Sequence, residues 1–234
     1  MAFQGMKLFW RNTIHKNRIK GIIFDLDGTL IDSYAPIMES LNHTRKSFNL
    51  APFTLEEVRK IVGRGLEVLI AETIGDAHVK EGIRIFREKY GSVFLEKTKL
   101  MPNVKEVIPS LARKGYLMAV TSNKPSYFTS EILKSRGIYE YFKVILGPDD
   151  SPKAKPDPGM VEMAIKEMRL RKDEVVYVGD MTIDIETSRR AGIKVVGITS
   201  GSNSKEELER ASPDALIENL EELEDLFPFL YQAG

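Results

Sequence analysis

Residues 19–30 read IKGIIFDLDGTL, a short apolar run that ends in two aspartates and a glycine. Such a β-branched run is typical of a buried parallel strand whose carboxyl end opens onto a loop. Asp25 and Asp27 are two residues apart, so on an extended backbone both carboxylates point to the same side. Gly28 permits a sharp turn after them, and Thr29 supplies a hydroxyl. The first strand therefore delivers a pair of acidic groups to one edge of the predicted sheet.

Apolar runs of the same kind recur along the rest of the chain. They are Tyr116–Val120, Val144–Leu146, Val175–Val178, Val195–Ile198 and a weaker Ala215–Ile217. Helical patterns separate them, at Val104–Lys114, Ser126–Arg136, Pro158–Met168 and Asp184–Ala191, and a capping box at Ser204–Glu207 opens a further helix. Strands that alternate with helices predict an α/β fold with a Rossmann-like, mostly parallel sheet and helices on both faces.

The segment 34–100 differs because its patterns are helical and it contains no convincing strand. Tyr34–Asn49 is amphipathic, Thr54–Glu57 is a capping box, and Lys80–Glu96 has a long helical pattern. A helical block between the first two strands of a parallel sheet predicts an inserted α-helical cap domain. The expected division is a basic N-terminal arm at 1–18, a discontinuous α/β core at 19–33 and 101–234, and the cap at 34–100.

Composition excludes several classes of function. The 234 residues carry a formal net charge of zero, so no overall field attracts nucleic acid or an anionic membrane. The absence of cysteine excludes disulfides, thiolate metal sites and cysteine nucleophiles. No apolar run reaches the length needed to span a bilayer. We expect a cytoplasmic protein, monomeric or homodimeric, with no nucleic-acid or membrane partner.

Reactive side chains follow the later strands as they follow the first. They are Thr121, Ser122 and Asn123 after the second strand, Lys153 and Lys155 before the helix at Pro158–Met168, and Gly179, Asp180 and Asp184 after Val175–Val178. Ligands of open α/β sheets bind at the carboxyl ends of the strands, so we expect these groups to converge. If a helix starts at Asp180, the i,i+4 spacing puts its carboxylate and that of Asp184 on one face.

Four carboxylates gathered at one sheet edge raise one another's pKa unless a cation neutralises them. Hard oxygen ligands, few in number and with room for water, suit Mg²⁺ better than zinc. The chemistry that uses such a site is phosphoryl transfer, in which a carboxylate attacks in line while the cation, a lysine and a hydroxyl share the phosphoryl charge. Each motif alone also fits a plain turn, a helix cap or a solvated loop. Their combination, in this order, indicates a catalytic site.

With these motifs in place, the chain from Ile19 to about Phe227 resembles the haloacid dehalogenase-like hydrolases. The resemblance is to their phosphoglycolate-phosphatase-like branch, which carries a helical cap. It implies that Asp25 is the nucleophile that forms an aspartyl-phosphate and that Asp27 is the general acid and base. It also implies Mg²⁺ held by Asp25, the backbone carbonyl of Asp27 and Asp180, with Asp184 in support of the metal ligand or the lysine.

For two of the expected roles, the motifs offer two nearby residues each. Thr121 and Ser122 both compete for the role of the phosphate-binding hydroxyl, and Thr121 is favoured because it stands directly at the strand end. Of the two lysines, Lys155 is favoured over Lys153 because it immediately precedes Pro156-Asp-Pro158. Met181 departs from the small polar residue that the family motif has after its aspartate. The expected effect is a looser outer coordination shell with the carboxylates intact.

The resemblance also separates the family's activities. Dehalogenases lack the second aspartate of the first motif, so Asp27 favours phosphate chemistry. Phosphomutases usually carry glutamate where this chain has Gly179, which favours a phosphatase. The expected function is Mg²⁺-dependent hydrolysis of a small phosphorylated metabolite, with phosphoglycolate the first candidate and nucleotide or sugar phosphates next. The alternatives are a β-phosphoglucomutase-like phosphomutase and a catalytically silent binding or regulatory module.

Arg64 is the candidate for substrate specificity. It stands between Gly63 and Gly65, which interrupt the helical pattern of the predicted cap. An arginine there is able to reach into a cleft and pair with a carboxylate on the organic part of a substrate. The alternative is a solvated arginine in a turn between two helices.

Overall fold

The computed structural model describes residues 19–228 and residue 230. The predicted N-terminal arm at 1–18 lies outside the described residues. In chain order the first half comprises β1 (Gly21–Phe24), β2 (Ile31–Asp32), α1 (Tyr34–Ser47), α2 (Leu55–Ile61), α3 (Leu66–Ile74), α4 (Val79–Lys97), β3 (Lys99–Leu100) and α5 (Val104–Arg113). The second half comprises β4 (Leu117–Thr121), α6 (Ser126–Ser135), β5 (Phe142–Leu146), α7 (Gly159–Met168), β6 (Val175–Gly179), α8 (Thr182–Ala191), β7 (Lys194–Ile198), α9 (Lys205–Ala211), β8 (Ala215–Ile217) and α10 (Leu223–Leu226).

The main sheet has six strands in the order β5-β4-β1-β6-β7-β8, and every pair of neighbours is parallel. The strand that begins at Gly21 is central and pairs with Leu117 of β4 on one side and Val175 of β6 on the other. The chain first builds outward through β4 and β5 and then crosses to β6, so the strand order reverses between β1 and β6. Ligands of such sheets bind in the crevice at that reversal. Asp25 and Asp180 follow the two strands that border it.

The core lies on both faces of this sheet because successive strand residues point to opposite sides. Ile22 and Phe24 join a buried cluster with α5 and α6, whereas Ile23 joins a second cluster with α7 and α8. All four residues of β1 are buried, as the unbroken apolar run predicts. The predicted α/β fold is confirmed, with helices on both faces of a parallel sheet.

Helices α1 to α4 lie between the two strands of a separate antiparallel ribbon, in which Ile31 pairs with Leu100 and Asp32 with Lys99. This ribbon brings the start and the end of the helical segment together beside Asp27. The capping box predicted at Thr54 is present, since its hydroxyl accepts from the Glu57 N–H at 3.3 Å. The division of the chain into a cap at 34–100 and a core stays a prediction.

Two element boundaries differ from the expectation in a way that matters for the site. The strand predicted at Val144 begins at Phe142, and α8 begins at Thr182 rather than at Asp180. Asp184 lies in the first turn of α8, and its carboxylate accepts from the Met181 N–H at 3.0 Å. The carboxylates of Asp180 and Asp184 thus meet across a helix start and do not share one helical face. None of the helices in the described ranges is both long enough and apolar enough to cross a membrane.

Candidate active site

Three carboxylates meet at the reversal point of the sheet. Asp25 follows β1, Asp180 follows β6 and Asp184 lies in the first turn of α8, and all three are buried. One oxygen from each lies within 4.8 Å of the others. The Lys155 Nζ donates to Asp25 Oδ1 at 2.6 Å and to Asp184 Oδ1 at 2.7 Å. The convergence predicted from the sequence is therefore present for these four residues.

Asp180 is held by hydrogen bonds from two separate loops. Thr29 Oγ1 donates to its Oδ1 at 2.9 Å, and the Ser202 N–H donates to its Oδ2 at 2.8 Å. The backbone passes so close that a Cβ on Gly28, whose φ is 89°, would lie 2.5 Å from Asp180 Oδ2. Gly28 is thus required both for its left-handed backbone and for the space beside the carboxylate. Of these two partners of Asp180, Thr29 was predicted from the sequence as a supporting residue and Ser202 was not. Ser202 follows β7 in a loop without a recognisable motif.

The charge of this cluster is unbalanced. Burial raises the pKa of Asp25 to about 7, with Lys155 opposing the rise and Asp184 adding to it. Burial, followed by the charges of Asp25 and Asp184, raises the pKa of Asp180 well above its usual range. Burial disfavours the charge on Lys155, but the two neighbouring carboxylates outweigh it and raise the pKa of the lysine. One ammonium group does not neutralise three carboxylates, and a divalent cation with oxygen ligands fits the remaining charge.

Asp27 lies in a second, neighbouring charge network. Its Oδ1 accepts from Lys124 Nζ at 2.6 Å and also from the Ser33 hydroxyl. The same ammonium group contacts the Tyr90 hydroxyl at 2.9 Å, which links the network to α4. Burial disfavours the charged form of Lys124, but Asp27 and Tyr90 outweigh it and the pKa of the lysine is raised. The sequence analysis did not select Lys124 as a site residue. Its position directly after Thr121–Asn123, at the end of a strand, is the signal that could have identified it.

The hydroxyl that faces the cavity is that of Ser122 and not that of Thr121, which corrects the expectation for the phosphate-binding hydroxyl. Thr121 is fully buried, and its Oγ1 donates to the Tyr177 hydroxyl at 3.1 Å inside the sheet core. Ser122 lines the cavity beside Asp25. The physical reason is the alternation of side chains at the end of β4, which turns one residue inward and the next toward the cavity. Lys155 Nζ also donates to the Tyr177 hydroxyl at 3.0 Å, so this tyrosine helps to position the lysine from within the core.

The two candidate lysines are separated by burial. Lys155 is buried among the carboxylates, whereas Lys153 is exposed. Asn123 holds the backbone of Lys155 from both sides, since its Oδ1 accepts from the Lys155 N–H at 2.8 Å and its Nδ2 donates to the carbonyl at 3.2 Å. The same Nδ2 donates to the Gly63 carbonyl at 2.9 Å. Asn123 therefore ties the lysine loop to the turn between α2 and α3.

A cavity of about 90 Å³ opens above Asp25. Its floor is polar and includes Asp25, Asp27, Ser122, Asn123, Lys124, Lys155 and Ser202. Its walls are mainly apolar and come from α1, α3, α4 and α6. Gly63 lines the cavity, and the Met181 side chain lies so close that a Cβ on this glycine would overlap the sulfur. The Met181 side chain thus packs against the turn between α2 and α3.

The expectation that Arg64 reaches into the cleft is wrong. Its guanidinium pairs with Glu72 of α3, and its side chain is 56% exposed. The cavity is lined by the flanking Gly63 and Gly65 and not by Arg64. The physical reason is the nearby carboxylate of Glu72, which offers the guanidinium a partner in solvent. The arginine that does line the cavity is Arg87 of α4. It stands in a helix rich in charged residues, and no local motif distinguishes it from its neighbours.

In sequence, the chain is similar to one family of hydrolases and to phosphatases. The model of a family described as haloacid dehalogenase-like hydrolase matches residues 22–198. A phosphoglycolate phosphatase of Vibrio parahaemolyticus is 33% identical over 215 residues, which cover 88% of this chain and 94% of that protein. A phosphoglycolate phosphatase of Pseudomonas fluorescens is 32% identical over 211 residues, which cover 86% of this chain and 77% of that protein.

Solved structures give the same result for the fold. A predicted phosphoglycolate phosphatase from Haemophilus somnus superposes with a TM-score of 0.84 at 30% identity, over 90% of this chain and 99% of that one. A haloacid dehalogenase-like hydrolase from Streptococcus pneumoniae superposes with a TM-score of 0.83 at 25% identity, over 90% and 99% of the two chains.

Proposed function

The chain belongs to the haloacid dehalogenase-like hydrolases, and from this premise we propose that it is a Mg²⁺-dependent phosphatase acting on a small phosphomonoester through an aspartyl-phosphate. Its relatives in Vibrio parahaemolyticus and Pseudomonas fluorescens are phosphoglycolate phosphatases, which supports phosphate-ester hydrolysis. The observation that carries the proposal is the position of Asp25, on the floor of the cavity and 2.6 Å from Lys155.

Asp25 is the proposed nucleophile. A carboxylate oxygen of Asp25 attacks the phosphorus in line, the new O–P bond forms, and the bond between phosphorus and the ester oxygen breaks. Asp27 lines the same cavity and gives a proton to the departing alkoxide. Asp27 then takes a proton from water, whose oxygen attacks the phosphorus. The bond between phosphorus and the Asp25 oxygen breaks, inorganic phosphate leaves, and the carboxylate of Asp25 is restored.

Ser122 and Lys155 are the proposed groups that hold the phosphoryl oxygens. Both line the cavity beside Asp25, and a hydroxyl with an ammonium group suits an anionic phosphoryl. Asn123 acts on the position of Lys155, because it makes hydrogen bonds with both backbone groups of that residue. Lys124 positions Asp27, because its ammonium group donates to the carboxylate at 2.6 Å.

The proposed Mg²⁺ ligands are Asp25, Asp180 and the backbone carbonyl of Asp27, with Asp184 beside them. The fit is supported by the mutual approach of three buried carboxylates and by the excess of negative charge over the single ammonium of Lys155. When bound, the cation supplies positive charge that offsets the carboxylates and the phosphoryl oxygens. The protein's part is to hold Asp25 and Asp180 in place, which Thr29 and Ser202 do for Asp180.

The segment 34–100 is proposed to act as a cap that excludes water from the intermediate. Residues of α1, α3 and α4 line the cavity opposite Asp25, which supports this role. The substrate is a small phosphorylated metabolite, and phosphoglycolate, nucleotide monophosphates and sugar phosphates are the classes to examine first.

The proposal is tested by phosphate release from a generic aryl phosphate. We expect turnover that requires Mg²⁺, that is abolished by EDTA, and that falls by about 10⁴ or more in Asp25→Asn, since removal of a nucleophile typically costs this much. Acid quenching with ³²P-labelled substrate is expected to trap label on the native protein and not on the variant. Turnover that survives in Asp25→Asn, or that needs a bisphosphate activator and yields little free phosphate, would contradict the proposal.

A further inference from the structure

Arg87 of α4 is a cation that lines the cavity without a partner among the described residues. The other described basic residues that line it are Lys124 and Lys155, and both are already paired with carboxylates near the floor. Arg87 makes no hydrogen bond and no ion pair within the described part of the chain. Its guanidinium group is therefore free to bind an anion that enters the cavity.

The sequence of α4 explains why Arg87 has no partner on its own helix. Residues three and four positions apart on a helix are neighbours, and oppositely charged residues at these spacings pair. None of the four neighbours of Arg87 is acidic; they are Ile83, Arg84, Tyr90 and Gly91. Arg84, one turn earlier, has Glu81 and Glu88 at these spacings and pairs with both, at 2.7 and 3.3 Å.

The charge of Arg87 does reach one acidic residue beyond the helix, Asp149. Burial raises the pKa of Asp149, but hydrogen bonds from Ser126 and, with a smaller contribution, the charge of Arg87 lower it. The Asp149 carboxylate already accepts from the Ser126 N–H at 2.8 Å and from its hydroxyl at 2.7 Å. Within the described structure, Asp149 forms no ion pair with Arg87 and does not line the cavity.

Arg87 stands away from the end of the cavity where the proposed chemistry takes place. The end of α4 leads into β3, whose partner strand β2 lies close to Asp27. Tyr90 of α4 accepts a hydrogen bond from Lys124 at 2.9 Å. Arg87 precedes Tyr90 by three residues, which places its Cα about 4.5 Å farther along the helix axis from β3. The organic part of an ester whose phosphoryl group lies beside Asp25 would extend toward this end.

We propose that Arg87 determines substrate specificity by pairing with a carboxylate on the organic part of the phosphate ester. This inference rests on the proposed phosphatase function and narrows its substrate class. A guanidinium and a carboxylate are both planar and form two parallel N–H···O bonds. One guanidinium balances the single charge of a carboxylate, whereas a second phosphoryl group would bring a charge of about −1.5 to −2. The role that the sequence predicted for Arg64 thus falls to Arg87.

The test measures how strongly a carboxylate on the ester is preferred. Phosphoglycolate, 3-phosphooxypropanoate and 4-phosphooxybutanoate are compared with ethyl, propyl and butyl phosphate, in which a methyl group replaces the carboxylate. With Mg²⁺ and the unmodified protein, we expect kcat/KM for the acid to exceed that for its alkyl partner by about tenfold or more in at least one pair. The assay uses low ionic strength, because Arg87 is exposed and salt screens exposed charges.

Variants of two arginines on the same helix locate the effect. Arg87→Gln is expected to lower the ratio of kcat/KM, acid over alkyl ester, about tenfold, and Arg87→Lys is expected to be intermediate because it keeps the charge and loses the planar fork. Arg84→Gln is the matched control, since Arg84 lies one turn away and outside the cavity, and it should leave the ratio unchanged. Differences in leaving group within a pair cancel when the ratio is compared between variants. A loss of structure alone would lower both rates and not their ratio, and circular dichroism checks that the variants are folded.

The failure of this inference is distinguishable from that of the proposed function. Turnover of the aryl phosphate with no acid preferred over its alkyl partner, or with the same preference in Arg87→Gln as in the unmodified protein, would overturn the role of Arg87 and leave the phosphatase activity standing. No phosphate release from any ester, the aryl phosphate included, would remove the proposed function and this inference with it.

Discussion

Lys155 is the residue on which the electrostatics of the site depend. Its ammonium group is shared between Asp25 and Asp184, and all three side chains are almost fully buried. Burial of charged groups is costly, and removal of one partner from a buried ion pair leaves the other charge without compensation. The contacts from Tyr177 and Asn123 show how the surrounding residues hold this lysine in place.

Replacement of Lys155 is therefore expected to affect both stability and activity. Lys155→Met leaves two buried carboxylates without their cation, and we expect the free energy of unfolding to fall by about 3 kcal/mol without Mg²⁺. Phosphate release is expected to be lost. The matched control is Lys153→Met, two residues away and exposed, for which urea denaturation and turnover should be unchanged. Equal effects of the two variants would contradict this assignment.

The hydroxyls of Thr121 and Ser122 are expected to differ in the same way. Ser122→Ala removes a donor from the cavity and should lower kcat by about 10². Thr121→Val removes a bond to Tyr177 in the core and should lower kcat less than tenfold, with a loss of about 1 kcal/mol in unfolding free energy. A larger loss of kcat in Thr121→Val than in Ser122→Ala would restore the original preference.

At the scale of elements, the site depends on the junctions between helices and strands. Asp184 caps the start of α8 through the Met181 N–H, which brings a helix residue to the end of β6. Tyr90 brings α4 to the end of β4, because its hydroxyl contacts Lys124 at 2.9 Å. This second junction connects the helical segment 34–100 to Asp27, the proposed acid and base.

Tyr90→Phe tests that junction. The ring and its packing are kept, but the Lys124 ammonium loses one of its partners and is free to shift with Asp27. We expect kcat to fall about tenfold with KM little changed, and the pH profile of kcat to move, as for a residue that positions an acid–base group. Tyr127→Phe, at a tyrosine that is 64% exposed, is the control. An unchanged kcat and pH profile in Tyr90→Phe would show that the junction has no part in the reaction.

At the scale of the whole molecule, the buried carboxylates connect stability to pH and to Mg²⁺. The pKa of Asp25 is raised by burial from 3.8 to about 7 in the folded protein without metal. Between these values the folded state binds a proton that the unfolded state has released, so this residue makes stability fall as pH rises. Asp180, whose pKa is also raised by burial, acts in the same direction.

Bound Mg²⁺ competes with those protons, and its effect should therefore grow with pH. We expect the increase in Tm on addition of Mg²⁺ to be small at pH 5.5 and several degrees at pH 8. Asp180→Asn, which removes a proposed ligand, should abolish most of the increase at both values. Thermal unfolding followed by circular dichroism measures both quantities. A Mg²⁺ effect independent of pH would argue against binding at these carboxylates.

The parallel sheet and the acidic cluster at its edge follow from local sequence patterns. An unbroken apolar run such as Ile22–Phe24 is typical of a central strand buried on both faces. The residues that follow neighbouring parallel strands lie at the same edge of the sheet. Local patterns do not show which of Thr121 and Ser122 faces the cavity or which partners Lys124 takes; these follow from the folded structure. Side-chain direction depends on the orientation of a strand end in the sheet, and Lys124 pairs with Asp27 and Tyr90, which are distant in the sequence. Such contacts between distant segments leave no local pattern, because they form only when the whole chain has folded.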